Sequence, residues 1–400
     1  MQQELTLDSF FRRALGMDFE VATLCCHSGK PLAKGSAKQV LCLASANKFD
    51  KFSDYAEAAH VYRRYGSPNT KELGDAIALL EGGESGLACS SGMGAILAAL
   101  LAVCKRGDVL VAPRDPYGGT YDLLVNDFDR FGISVRLEDV LDLVRLDATL
   151  SELYAAATAG VSGRIAVFVE TFSNPLVKVA DIPAISKLCK KYGCVLIVDN
   201  TFGTPVQLKP LKQGADMVVH SATKFLGGHN DAMAGALVGS SEYVTSAAGI
   251  VARWGLAASP FDSWLVLRGI QTLKVRIQRQ WQSASILSQR LSAHPLPLRV
   301  HAAQGCSIVA LEVPNGLDGA AAAIDAFQMI TLCPSLGGVT TTVSHSASSS
   351  HSFLPRDQRI ALGITDGLLR ISVGLEHVDD IWADLERGIF AAAATSHPGR

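Results

Sequence analysis

The sequence lacks any long apolar stretch. Its longest apolar runs, such as residues 94–103 and 195–198, fall well short of the roughly 20 residues that a membrane-spanning helix needs. The first residues, MQQELTLDSFFRRALG, are polar and mixed in charge, without the apolar core of a secretion signal. These two absences predict a cytoplasmic protein with no membrane partner.

Two further absences argue against other ligands. The net charge is −2, and no basic stripe or arginine-glycine tail occurs, so we expect no nucleic-acid partner. The nine cysteines are scattered and never reach the C-x-x-C spacing of a zinc site. We therefore expect no metal, and mostly reduced thiols in the core.

Length and composition indicate a large folded enzyme. The 400 residues exceed what one core usually holds, and 48% hydrophobic with 18% charged residues is typical of a well-buried chain. The pattern predicts an N-terminal arm without its own core over residues 1–65, a large domain over 66–260 and a small C-terminal domain over 261–400.

Strand-like and helix-like segments alternate between about residues 70 and 239. Thr70 is the predicted N-cap of an early helix, and one long helical stretch is expected over residues 265–287. Strands are predicted over residues 108–112, 164–170, 194–199 and 216–220. This alternation favours an α/β fold with a mostly parallel sheet covered on both faces.

Ligands of such sheets bind outside the carboxyl ends of the strands. Glu170, Asp199 and His220 each end a predicted strand and should therefore surround one crevice. The serine run at residues 344–352 is interpreted as an active-site loop rather than a spacer.

The stretch HSATKFLGGH, at residues 220–229, follows a strand with two hydroxyls, a lysine and a glycine pair. Ser221 and Thr223 can both donate to one anion such as a phosphate, and glycines let the backbone approach closely. Burial beside that anion would disfavour the charged form of Lys224 and make it an imine-forming nucleophile. Taken alone, the lysine fits an exposed Ser/Thr-rich turn better than an active site.

Asp199 ends a buried strand, where an unpaired carboxylate is unfavourable. The pyridinium nitrogen of pyridoxal phosphate would pair with it, and an N-cap or a metal ligand is the alternative. Residues 90–94, SSGMG, open a predicted helix whose N–H groups suit a phosphate. Tyr117 lies between turn residues, where its ring would stack on a flat cofactor or pack on the surface.

Several stretches together extend this interpretation. In chain order they are YRRYGSPNT, SSGM, DPYGGTYDLL, ETFSNPL, VDNTFGTP, GADMVVHSATKFLGGHND, SPFDSWLVLRGIQTL, PSLGGV and LRISVGLE. They closely resemble the cysteine/methionine-metabolism family of pyridoxal-phosphate enzymes, nearly throughout the chain beyond about residue 55. That family includes cystathionine γ-synthase, cystathionine γ-lyase, methionine γ-lyase and O-acetylhomoserine sulfhydrylase.

The resemblance implies an aminotransferase-like (fold type I) α/β architecture, a homotetramer built from dimers, and pyridoxal 5'-phosphate as cofactor. It implies that Lys224 carries the cofactor as a Schiff base and acts as acid and base, that Asp199 pairs with the ring nitrogen, and that Tyr117 stacks on the ring and activates the leaving group. The residues that it assigns to the phosphate are Ser91, Gly92, Met93, Ser221 and Thr223, with Tyr62 and Arg64 reaching into a neighbouring subunit. Those for the substrate carboxylate are Asn174, Ser335 and Arg370.

The chain departs from the family pattern at the substrate mouth and at the subunit contact. Ser67 and Asn69 replace the asparagine and threonine that usually follow the tyrosine-x-arginine motif. Thr340 stands where many cystathionine-handling members carry glutamate, and Gly119 stands where methionine γ-lyases typically place cysteine. We therefore expect methionine to be a poor substrate.

The expected reaction is γ-elimination or γ-replacement on a γ-substituted L-amino acid of sulfur metabolism. A cystathionine γ-synthase or γ-lyase ranks first, because SPFDSWLVLRG and YGGTY resemble that branch. An O-acetylhomoserine sulfhydrylase or a lyase for another γ-substituted amino acid follows. A non-catalytic cofactor-binding homologue is disfavoured by the intact Lys224, Asp199, Tyr117 and Arg370. A generic aminotransferase is disfavoured because HSATKFLGG together with YGGT resembles the γ-elimination and γ-replacement enzymes.

Overall fold

The computed structural model describes residues 20–28 and 39–395, so much of the predicted arm lies outside the described residues. The strands are β1 Ser85–Cys89, β2 Val109–Pro113, β3 Ser134–Glu138, β4 Ile165–Glu170, β5 Val195–Asp199, β6 Met217–Ser221, β7 Gly235–Gly239, β8 Arg299–Ala302, β9 Ile308–Glu312, β10 Thr331–Leu332, β11 Thr342–His345 and β12 Leu368–Ser372.

Helices precede, separate and follow these strands. The α-helices are Val21–Cys26, Phe52–Glu57, Pro68–Glu81, Gly92–Val103, Gly118–Asn126, Leu143–Thr158, Ile182–Lys191, Thr204–Gln207, Ser241–Trp254, Pro260–Ile270, Leu273–Ser292, Gly316–Ala326, Arg356–Ala361 and Val378–Ala394. Short 3-10 turns cover Arg63–Tyr65, Phe128–Phe131, Pro210–Gln213 and Ser346–Ser348. None of the described helices has the length and apolarity needed to cross a membrane.

The larger sheet has seven strands in the order β1-β7-β6-β5-β4-β2-β3. The strands from β6 to β3 run parallel, while β7 pairs antiparallel with both β6 and β1. Alternate strand residues face two separate cores: Phe168 and Ile197 pack on one side, and Val167 and Val198 on the other. Burial on both faces explains the near-continuous apolar strands and confirms the predicted fold class.

The smaller sheet has five strands in the order β10-β11-β12-β9-β8, and only the β10–β11 pair is parallel. Leu369 and Ile371 of β12 pack into a core with the helices Leu273–Ser292 and Val378–Ala394. Side chains alternate along a strand, so Arg370 projects from the opposite face. Leu368 on that face packs with Leu176, which follows β4, so Arg370 points towards the larger sheet.

Two predicted helix boundaries were wrong. The first helix begins after Ser67, whose hydroxyl accepts from the Thr70 N–H, while the Thr70 hydroxyl accepts from the Ser67 N–H at 2.9 Å. Thr70 is therefore the third helical residue, and Pro68 the first. The stretch over residues 265–287 is two helices, because the Gly269 carbonyl that would continue the first one accepts from Thr272 and Arg276 instead.

The Arg276 guanidinium also holds the turn that follows Lys224. It donates to the carbonyls of Phe225 at 2.9 Å, Leu226 at 3.3 Å and Gly269 at 2.8 Å. Arg276 is only 3% exposed, and burial lowers its pKa to about 10. A buried cation with carbonyl partners thus ties the site lysine to the helix Leu273–Ser292.

Arg276→Leu should lower the free energy of unfolding by about 3 kcal/mol, because buried carbonyls lose their donors. Denaturant unfolding checks this value. Arg279→Leu, on the same helix, is the control, since the Arg279 side chain has no hydrogen bond or ion pair with any described residue. Equal losses in the two variants would contradict the role given to Arg276.

Candidate functional site

A cavity of ≈ 370 Å³ opens at the carboxyl ends of β4, β5 and β6. Ten of the residues predicted from the sequence line it: Ser91, Gly92, Met93, Tyr117, Asn174, Asp199, Ser221, Thr223, Lys224 and Arg370. Ser335 lies beside it, where its hydroxyl accepts a hydrogen bond from Lys224. The parallel sheet thus brings together residues that are far apart in sequence.

The expectation that His220 faces this crevice was wrong. Successive residues of a strand point to opposite faces, so Ser221 lines the cavity and His220 is buried behind it. The His220 Nε2 lies 2.7 Å from Glu81 Oε1, and the same carboxylate oxygen accepts from Asn200. The histidine therefore belongs to a buried polar network rather than to the cavity wall.

An anion cradle forms where β6 meets the helix Gly92–Val103. Ser91 is the N-cap of this helix, and its hydroxyl accepts from the Gly94 N–H at 3.0 Å. A Cβ at Gly92 would lie 2.7 Å from the Ser221 Cβ, so only glycine permits this approach. The Thr223 hydroxyl already donates to the Ala234 carbonyl, whereas the Ser221 hydroxyl has no partner among the described residues.

Two carboxylates lie side by side at the end of the sheet. Glu170 and Asp199 are direct neighbours in the β4–β5 register. Burial raises the pKa of Asp199, although hydrogen bonds from the Thr201 side chain and backbone act to lower it. Burial and then the charge of Asp199 raise the pKa of Glu170 well above its usual value. The site therefore favours a cation against Asp199.

Lys224 is a half-buried amine without a counter-ion among the described residues. Its Nζ donates to Ser335 Oγ at 3.2 Å, and it forms no ion pair with any described carboxylate. Burial lowers its pKa, and the charge of Arg370 lowers it further. Both effects increase the fraction of the neutral amine, which is the form that a nucleophile or a base requires.

Arg370 is held in place by neutral oxygens. Its Nη1 donates to Asn174 Oδ1 and its Nη2 to the Ser335 carbonyl, each at 3.0 Å. Its Nε is buried and has no partner among the described residues. Burial lowers the pKa of this arginine to about 10. A fixed guanidinium with an open donor is suited to an incoming carboxylate.

Tyr117 is positioned by Glu170. The Tyr117 N–H donates to Glu170 Oε1 at 2.6 Å, and the Asn174 N–H donates to the same carboxylate. Tyr117 precedes the helix Gly118–Asn126, and its side chain is 43% exposed. A Cβ at Gly119 would lie 2.8 Å from the tyrosine ring, so the ring fills the space that a side chain there would take.

Tyr62 and Arg64 do not reach this cavity. They line a second one of ≈ 330 Å³ together with Ser45, Gly255 and Ser259. Arg64 donates to the Ala252 carbonyl at 2.9 Å and lies over the Tyr62 and Tyr65 rings. The described chain therefore does not bring these two residues to Lys224.

Sequence reasoning gave no role to several residues of the wall. The sequence predicts that Glu170 lies at the crevice but assigns no function to it. Its position at a strand end, next to Asp199 in the neighbouring strand, is the signal that could have indicated one. Ser344, Ser349 and Ser350 line the cavity, as the loop interpretation of the serine run anticipated. Met233 also lines it without any sequence signal, whereas Thr340 is exposed and not part of the lining.

Comparison with known proteins agrees with this geometry. A family model described as "Cys/Met metabolism PLP-dependent enzyme" matches residues 22–390. The O-succinylhomoserine sulfhydrylase of Pseudomonas aeruginosa is 36% identical over 83% of this chain and 84% of its own length. The L-methionine gamma-lyase of Fusobacterium nucleatum subsp. polymorphum is 36% identical over 83% of this chain and 87% of its own length.

A solved structure of similar shape is cystathionine gamma synthase from Xanthomonas oryzae pv. oryzae, in complex with aminoacrylate and cysteine. Its TM-score is 0.86 at 33% sequence identity, and the match covers 95% of this chain and 100% of that one. The family model spans nearly all the described residues, including both sheets and the Lys224 cavity. The chain therefore belongs to the family of pyridoxal-phosphate-dependent enzymes of cysteine and methionine metabolism.

Proposed function

We propose that this enzyme catalyses γ-elimination or γ-replacement on a γ-substituted L-amino acid, with the roles that the sequence predicted for its site residues. One observation carries the proposal: Asp199, Lys224 and Arg370 line one cavity, and none of the three pairs with an opposite charge among the described residues. Each therefore awaits a ligand group of matching chemistry.

The residues fit pyridoxal 5'-phosphate. The close approach of Gly92 to Ser221 leaves a backbone cradle for the phosphate. Asp199, whose pKa is raised by desolvation, suits the cationic ring nitrogen. Lys224 has the lowered pKa that a covalent attachment to the aldehyde requires. We assign the phosphate to Ser91, Gly92, Met93, Ser221 and Thr223.

When bound, pyridoxal phosphate withdraws electrons from the α-carbon of the substrate. The chain supplies the proton transfers: Lys224 Nζ removes the α-proton, would release it to the bound cofactor, and as the neutral amine then removes a β-proton. Tyr117 covers the cofactor ring and assists the departure of the γ-substituent. Asn174 and Ser335 hold Arg370 so that its guanidinium binds the substrate carboxylate.

We further propose a cytoplasmic homotetramer built from dimers. The position of Tyr62 and Arg64 away from the Lys224 cavity supports a role in the phosphate site of a neighbouring subunit. We also propose that the chain divides into an arm over residues 1–65, a large domain over 66–260 and a small domain over 261–400. The larger sheet lies within residues 85–239 and the smaller within 299–372, which is compatible with that division.

Two groups of substrates remain candidates within the reaction class. Cystathionine ranks first from sequence, and the O-acylated homoserines follow. The relatives include a sulfhydrylase, gamma-lyases and a gamma synthase at similar identities. A non-catalytic protein that only binds the cofactor is disfavoured, because one cavity is lined by all four candidate residues, Lys224, Asp199, Tyr117 and Arg370.

Lys224→Ala should abolish the visible absorption band of lysine-bound cofactor and lower turnover by several decades, because attachment and proton transfer are both lost. Absorption spectra and steady-state assays check this. Lys191→Ala, an exposed lysine paired with Asp147, is the control and should behave as wild type. A Lys224→Ala protein with unchanged spectrum and activity would disprove the assignment.

Arg370→Ala should weaken amino-acid binding by about 2–5 kcal/mol while the cofactor band is retained, because a bound carboxylate loses its charged partner. The measurement is the substrate dissociation constant, followed through the cofactor spectrum. Arg370→Lys keeps the charge but loses the planar pair of donors, and should fall between the two. Unchanged affinity in Arg370→Ala would place the carboxylate elsewhere.

Arg64→Ala should lower cofactor affinity, because the phosphate of a neighbouring site loses a cation. Mixed with Lys224→Ala and reassembled, it should regain activity, since about a quarter of the sites would combine intact residues from both chains. Activity of the mixture is compared with each variant alone and with Arg63→Ala as the control. No recovery in proven hybrid oligomers would mean that one chain builds each site.

A further inference from the structure

The serine run lies against the turn that carries Tyr117. Ser344, Ser349 and Ser350 line the cavity. The Ser350 carbonyl packs so closely on Gly118 that a Cβ there would collide with it. The ring of Phe353 lies 5.0 Å from that of Tyr121, one helical turn beyond Tyr117. The loop therefore places Ser350 beside the residue assigned to the leaving group.

His351 lies behind Ser350 and is only 1% exposed. Its Nδ1 is 2.9 Å from Ser350 Oγ, and its Nε2 has no partner among the described residues. Burial lowers the pKa of His351 to about 4, and the charges of Arg370 and Arg359 act in the same direction. The ring is therefore neutral at neutral pH and carries a single proton.

That proton belongs on Nδ1. A buried N–H without an acceptor is less favourable than a buried lone pair without a donor, so the unpartnered Nε2 stays bare. His351 then donates to Ser350 Oγ. The hydroxyl hydrogen of Ser350 has no other acceptor among the described residues, so it remains available for a ligand.

The rest of this wall is uncharged. The charged residues that line the cavity within the described chain are Glu170, Asp199, Lys224 and Arg370, and all four have been given tasks above. The uncharged lining residues include Ser344, Ser349 and Ser350 and the apolar Met233, Pro334 and Leu336. Within the described residues of one chain, a γ-substituent that ends in a zwitterion finds no further charged partner in this lining, whereas an uncharged oxygen finds hydroxyl donors.

We propose that Ser350, oriented by His351, donates a hydrogen bond to an oxygen of the γ-substituent, and that the enzyme is thereby adapted to uncharged oxygen esters rather than thioethers. This inference rests on the proposed function and names its substrate class. A thioether sulfur is a weak acceptor, so it gains little from the same hydroxyl.

The hydroxyl acts while the ester leaves. The Cγ–O bond breaks with its electron pair on the departing oxygen, and the Cβ–H pair forms the new carbon–carbon double bond as Lys224 takes the proton. The negative charge spreads over the two oxygens of the departing carboxylate. Ser350 stabilises that charge by hydrogen bonding and keeps its own proton.

O-acetyl-L-homoserine and L-ethionine test this inference. Their γ-substituents have similar size, but the first is an oxygen ester and the second is a thioether. Ser350→Ala should lower kcat/KM about tenfold for the ester and less than about threefold for the thioether. Dissociation constants of the two amino acids, measured in the Lys224→Ala background where turnover is blocked, should show a loss of affinity for the ester only.

Ser352→Ala is the matched control. Ser352 is exposed, is not part of the cavity lining, and donates to the Ser349 carbonyl. Both substrates should react with it as with wild type. His351→Asn keeps a donor near the position of Nδ1 and should retain the response to the ester, whereas His351→Leu should behave like Ser350→Ala. In the variants that keep Lys224, the band of lysine-bound cofactor reports that the protein is folded and loaded.

Equal effects of Ser350→Ala on the two substrates, or no effect on either, would overturn the inference while leaving the proposed function intact. A wild-type enzyme that carries lysine-bound cofactor but converts no γ-substituted amino acid would overturn both.

Discussion

The site depends on ionisable side chains that are wholly or partly buried and have no counter-ion among the described residues. Lys224 and Arg370 line one cavity, and the positive charge of Arg370 adds to burial in lowering the pKa of Lys224. Asp199 and Glu170 are neighbouring carboxylates, and each loses hydration at the sheet end. Such groups oppose folding unless something fixes them. The chain fixes them with neutral donors and acceptors, which leaves their charges for a ligand.

The two sheets divide this work. The larger one supplies the anion cradle, the carboxylates and the lysine turn, because parallel strands end at a common edge. The smaller one supplies Arg370 from the strand face that does not enter its own core. Asn174 from the larger unit holds that guanidinium at 3.0 Å. The substrate carboxylate would therefore contact residues from the parts of the chain that form both sheets, while the cofactor would be bound mainly by residues around the larger sheet.

Local signals made much of this predictable from sequence. Apolar strands predicted the α/β fold, and the hydroxyls and glycines around Lys224 predicted an anion site. Longer-range contacts decided the rest. Thr70 has the chemistry of a cap, yet the reciprocal bond with Ser67 sets the start of that helix. The Tyr117–Glu170 bond joins residues 53 positions apart, and His220 turns away to Glu81, so no local pattern could reveal either.

Substrate specificity also depends on contacts between distant residues more than on local sequence patterns. The resemblance draws attention to Thr340, but that residue is exposed and outside the lining, and its neighbour Thr341 is held by the Glu376 carboxylate. The wall that meets the γ-substituent is the serine run beside Tyr117. A hydroxyl there gains most when negative charge develops on a leaving oxygen, because that charge is absent from the bound substrate. An uncharged wall thus discriminates mainly in the transition state.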